Sequence, residues 1–97
     1  MENKDKSRVT KEKISKYRKL TEEALGAARA SIVKGKEKEA EEIISMVTNY
    51  LSDSEYFEKS KKLVDGFAAI NYAHGWLDAG VRLGIFAVDD SRLFTVK

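Results

Sequence analysis

The sequence contains no cysteine, no proline, one histidine and one tryptophan. Without cysteine there can be no disulfide, thiolate nucleophile or cysteine-ligated zinc. Without proline no residue forces a helix to kink or stop, so helices can run long. No window approaches the roughly 18 consecutive apolar residues of a membrane span, and no hydrophobic run follows the charged N-terminus. Neither a membrane span nor a secretory signal is expected, and the default compartment is the cytoplasm. The 97 residues suit one domain with one modest core, and 42% apolar against 35% charged residues suits a water-soluble globule.

Net charge is only +2 but is unevenly placed. The first 20 residues hold eight basic side chains (Lys4, Lys6, Arg8, Lys11, Lys13, Lys16, Arg18 and Lys19) against Glu2, Asp5 and Glu12. The body is mildly acidic. A basic arm on an acidic body is a possible nucleic-acid contact through phosphates. More often such an arm is the solvated start of a first helix, and no reader motif accompanies it.

Hydrophobic periodicity predicts three helices. Ile14, Tyr17, Leu20, Ala24, Ala28 and Ile32 recur at steps of three or four, with Thr10 as a cap and Lys34-Gly35-Lys36 as an exit, giving a first helix over 10–33. Ala40, Ile43, Ile44, Val47, Tyr50 and Leu51 mark a second over 37–51. The acidic run Glu37, Glu39, Glu41 and Glu42 sits in its first turns, where the helix dipole favours anions. Ser52-Asp53-Ser54-Glu55 has capping-box spacing and predicts a break. A third helix is then expected over 54–84, about 30 residues and about 45 Å long. The architecture that follows is an all-α antiparallel three-helix bundle in a single domain, 1–97. The tail, 85–97, carries two β-prone apolar runs around Asp89-Asp90-Ser91, which reads as a turn. A lone hairpin is marginal in water, so the tail is expected to pack on the bundle or on another chain.

The third helix is the most informative stretch. Between Gly66 and Val88 its strongly polar residues are Asn71, His74, Asp78 and Arg82, within an arc of about 80° on an ideal helix. Tyr72, Trp76, Ala79 and Leu83 occupy another side. The polar stripe is either a solvated face or a half-buried network in which Asp78 orients His74 and pairs with Arg82. In the first case Tyr72, Trp76, Gly80, Leu83 and Phe86 are packing or interface residues. The glycines inside the helix each cost about 1 kcal/mol relative to alanine, which implies close approach of a neighbouring helix or a ligand.

The run Ala69-Ile70-Asn71-Tyr72-Ala73-His74-Gly75-Trp76-Leu77-Asp78-Ala79-Gly80-Val81-Arg82-Leu83-Gly84-Ile85-Phe86 resembles the signature of an archaeal family known as domain of unknown function 357. The resemblance extends over about 11–88. It implies a small helical bundle and an archaeal cytosolic origin, and it carries over no catalytic residue and no cofactor.

Common activities lack their residues. No glycine-rich phosphate loop is present. His74 and Asp78 supply at most two metal ligands, so no metal site is expected. No serine stands near His74 on its face for a nucleophilic triad, and no arginine stands in the positions just before it, as in small helical ribonucleases. The leading expectation is a non-enzymatic module that forms a homodimer or docks a protein partner through the apolar half of the third helix. The alternatives are a small-ligand or catalytic site on Asn71, His74, Asp78 and Arg82, and nucleic-acid association through the basic arm.

Overall fold

In the computed structural model, which describes residues 8–94, the chain forms three α-helices: α1, Lys11–Arg29; α2, Glu37–Lys59; and α3, Leu63–Arg82. They make a three-helix bundle of 53 × 27 × 16 Å, with no strand among the described residues. The most extensive interface joins α2 to α3, whereas α1 lies chiefly against α3.

The start of α1 follows from its cap. Thr10 is extended, and its hydroxyl accepts from the Lys13 N–H at 3.1 Å, satisfying one of the donors that a helix start leaves unpaired. The helix stops at Arg29, short of the predicted 33. Ser31 turns its hydroxyl back onto the Ala27 carbonyl, and Ser31–Val33 leaves the helix to pair with the chain beyond α3. Gly35, at φ 91°, completes the turn into α2.

The expected break at Ser52–Glu55 is not there: α2 continues through it to Lys59, and the third helix spans 20 residues rather than about 30. Ser54 caps nothing. It is buried, its hydroxyl donates back to the Leu51 carbonyl at 2.7 Å, and it receives a bond from Arg18 at 2.9 Å. A serine satisfied in this way no longer competes with the helix backbone. The true break is a Schellman turn at Ser60-Lys61-Lys62. Lys62 N–H reaches the Phe57 carbonyl, Lys61 N–H reaches the Glu58 carbonyl, and Lys61 takes the left-handed position at φ 62°. Glycine usually marks that position, and lysine does not advertise it.

The displaced break also resets the helical phase. Tyr56 and Val64, which the uninterrupted wheel places on the core side, are 65% and 69% exposed. The buried side of α3 is Gly66, Ala69, Ile70, Ala73, Leu77 and Gly80. Of these, Ala73 and Leu77 share one core with Ala24 and Ala28 of α1 and Ala40, Ile43 and Val47 of α2. Alanine and glycine at these positions let the helix backbones approach closely.

The tail packs on the bundle but not as a hairpin. Ile85 and Phe86 are buried, and the segment runs antiparallel to the α1–α2 connection through Val33 N–H to the Ile85 carbonyl and Ala87 N–H to the Ser31 carbonyl. Of the second apolar run, Leu93 and Phe94 pair with no strand, and residues 95–97 lie outside the described chain. Asp90 caps a helical turn in which Leu93 and Phe94 donate to its carbonyl and Arg92 N–H donates to its side chain. Leu93 and Phe94 close over the core.

The glycines of α3 divide sharply. A β-carbon on Gly80 would lie 2.5 Å from the Phe86 ring and 3.1 Å from Ile43, and one on Gly66 would lie 3.3 Å from the Ser54 carbonyl oxygen. On Gly75 it would meet nothing within 4 Å. The same substitution should therefore have opposite signs in one helix. Gly80→Ala is expected to lose about 1–3 kcal/mol by overpacking, and Gly75→Ala to gain about 0.5–1 kcal/mol by helix propensity. Urea unfolding of the two variants at low concentration checks both.

Candidate functional site

The four stripe residues do not act as one network. Asn71 and Arg82 are exposed, and His74 and Asp78 are half-buried on the flank of α3 that faces α1. Both ring nitrogens of His74 are committed. Nε2 lies 2.5 Å from the Leu93 carbonyl oxygen, and Nδ1 lies 2.9 Å from the Thr21 hydroxyl. A carbonyl only accepts, so Nε2 carries a proton, and in the neutral ring Nδ1 accepts from Thr21. The imidazole thus clasps α1, α3 and the tail at one point, with Phe94 tilted against it at 6.4 Å.

A groove of about 320 Å³ runs between α1 and α3, lined by Tyr17, Leu20, Thr21, Ile70, Asn71, His74, Gly75 and Asp78. His74 shows this groove the edge of a ring whose nitrogens are already bonded. A general acid, base or metal ligand must offer one of them to the reacting partner, and here both are engaged within the chain. Among the described residues no three His, Cys, Asp or Glu side chains converge on a possible metal position.

The tail is tied a second time, at the surface. Arg92 donates to both carboxylate oxygens of Glu23, at 3.2 and 2.6 Å. That hydrogen bond, with the guanidinium charge, holds the Glu23 carboxyl below the usual carboxylate range against a smaller opposing effect of desolvation, and it raises Arg92 in turn. A lowered carboxyl favours the folded state above its unfolded pKa, and the contribution disappears as pH falls through the folded value. The pair is fully exposed, so solvent screens it strongly.

The basic arm is partly spent within the chain. Arg18 bridges to Glu58 at 2.6 Å and to Ser54, joining α1 to the end of α2, and Lys13 lies over the Phe67 ring at 5.6 Å. Lys11, Lys16 and Lys19 are exposed, and residues 1–7 lie outside the described chain.

The apolar side of α3 is where the molecule is open. Tyr72 is 63%, Trp76 39% and Leu83 70% exposed, and Val64 lies on the same side. Asn71, Tyr72, Gly75, Trp76 and Ala79 line a shallow groove of about 340 Å³ along it. Tyr72 stacks on Tyr50 of α2 at 5.4 Å and 19°, which fixes its ring. Gly80 and Phe86 do not belong to this surface, since both are buried and face each other inside the core. Thr21 and the Leu93 carbonyl complete the His74 clasp from 53 and 19 residues away in sequence, a pairing that no local spacing signals.

The chain belongs to a family described as protein of unknown function, domain of unknown function 357, whose model matches residues 16–86. No curated protein and no solved structure matches the chain. No helix among the described residues is long and apolar enough to cross a membrane.

If His74 holds the tail, His74→Leu should cost about 1–3 kcal/mol, because it strands the Thr21 hydroxyl and the Leu93 carbonyl. Hydrogen exchange at Leu93 and Phe94 should accelerate with it. A variant that keeps both its stability and its exchange pattern would return His74 to the reactive groups.

Proposed function

We propose that this member of an uncharacterised family is a non-enzymatic interaction module whose docking face is the outer side of α3. One observation carries the reading. Val64, Tyr72, Trp76 and Leu83 are exposed along one helix face, and at its centre Gly75 stands where no atom of the chain approaches. Apolar residues gathered on one face mark an interaction site more often than the same residues scattered singly. A mid-helix glycine lowers helix stability by about 1 kcal/mol, and inside this chain no close contact offsets that loss. Ala68 and Ala79 keep the rest of the face low, so a partner helix can lie close to the backbone, while Tyr72 and Trp76 supply the large rigid contacts typical of interface anchors.

The test separates docking from folding. A photoreactive benzoylphenylalanine in place of Val64, at the edge of the face, is expected to give a cross-linked adduct in the cells that make the protein. Tyr72→Lys combined with Leu83→Lys should abolish that adduct and leave the chain folded, at a loss of about 0.5–1.5 kcal/mol from the Tyr50 stack. Absence of any adduct, or a double variant that no longer folds, would overturn the proposal.

A further inference from the structure

One seam on the exposed side of α3 advances by alternate steps of three and four: Asp65, Ala68, Tyr72, Gly75, Ala79 and Arg82, all of them exposed. Steps averaging 3.5 residues keep a stripe facing a second helix, and they are the repeat by which helices pack knobs into holes. The seam is about 25 Å long at 1.5 Å per residue. Its spacing is the same from either end, and its chemistry is complementary about the midpoint.

We infer that the partner of this face is a second copy of the chain, packed antiparallel on a two-fold axis that crosses α3 between Ala73 and His74. The inference rests on the docking-face reading above and supplies the occupant. A two-fold contact sets a patch against itself. About that midpoint Asp65 falls level with Arg82 of the second copy, Ala68 with its Ala79, and Tyr72 with its Gly75. Each large or charged group meets its complement. Tyr72, 63% exposed while stacked on Tyr50 of its own chain, meets the open space above Gly75, the one α3 glycine where an added β-carbon would meet nothing within 4 Å. Paired alanines let the backbones close. An acid–base pair ends the seam at both extremities, and neither Asp65 nor Arg82 forms an ion pair among the described residues. The flanks agree, with Val64 level with Leu83 and Asn71 with Trp76. A parallel pair would set Asp65 on Asp65, Arg82 on Arg82 and tyrosine on tyrosine, and would leave a gap at Gly75. Like charges and mismatched volumes exclude that arrangement as effectively as the matched ones favour the other.

Charge exchange tests the pairing on the full chain. Asp65→Arg should weaken the dimer about tenfold, since each dimer holds two such pairs and both become repulsive. Arg82→Asp should do the same. An equimolar mixture of the two variants should regain association, as a one-to-one heterodimer, because positions 65 and 82 that face each other then again hold one arginine and one aspartate at both ends. Sedimentation equilibrium over micromolar to millimolar protein reads all four samples, and circular dichroism confirms that each variant is folded. A parent chain that stays monomeric throughout, or a mixture no more associated than its components, would overturn the second copy as partner. The docking face is judged apart from this by the Val64 adduct. A mass other than twice that of the chain keeps the face and rejects the self-partner, and the absence of any adduct rejects both.

Discussion

The ring of Phe86 occupies the space that a β-carbon on residue 80 would need, with two ring carbons 2.5 and 2.6 Å from that position. Much of the long-range order at this end of the bundle depends on that overlap. Phe86 can lie flat on α3 only because Gly80 has no side chain, and Ile43 of α2 closes the other side. Seated there, the residues just after α3 run back along Ser31–Val33 and exchange two backbone hydrogen bonds with them. α3 itself ends in a Schellman turn, with Gly84 left-handed at φ 78°. Ile85 N–H reaches the Gly80 carbonyl and Gly84 N–H the Val81 carbonyl. The pairing beyond that turn draws the last predicted turn of α1 out of the helix. Beyond the pairing the chain returns to the core, where Leu93 and Phe94 belong to the same buried cluster as Ala28, Ala73 and Leu77. His74 and Arg92 then hold the covering segment from its buried and its exposed side.

The features legible in the sequence were those whose cause is local. Thr10 caps α1 because a threonine before an apolar-periodic run has a free N–H three residues on. The bundle follows from three apolar stripes on a chain without proline. The break between α2 and α3 was not legible, since its usual markers were absent at one place and present at another. Ser52, Asp53 and Ser54 carry capping chemistry, but Arg18 and the Leu51 carbonyl absorb the one hydroxyl that is buried. Lys61 adopts the left-handed conformation without being glycine, at a cost of about 1–2 kcal/mol, and the Schellman bonds and the contact of Gly66 with the end of α2 offset it. Both outcomes depend on residues far away in sequence.

The polar stripe failed as a unit for a similar reason. Spacing along one helix places Asn71, His74, Asp78 and Arg82 in one arc, but a side chain's role is set by what the neighbouring elements offer it. To His74 they offer a hydroxyl and a carbonyl, to Asn71 and Arg82 they offer solvent, and the arc divides accordingly. The apolar side divides as well: Gly80 and Phe86 are buried against each other, Tyr72 stacks on Tyr50, and Leu83 stays exposed.

The two sides of α3 use small residues in opposite ways. Inside, Gly66 and Gly80 are already met by atoms of the same chain, so their smallness is consumed in folding. Outside, Gly75 is met by nothing, and its smallness is still available. The inner glycines fix how α3 sits against α2 and the tail, and so fix which residues face outward. The outer glycine is the one that the proposed docking uses. Because no atom of the chain approaches Gly75, changes around it can alter association and leave the bundle intact. A small domain can in this way keep a binding face open to change without risking its core. In the proposed dimer the complementarity of the seam about its midpoint sets that space against Tyr72 of the second copy.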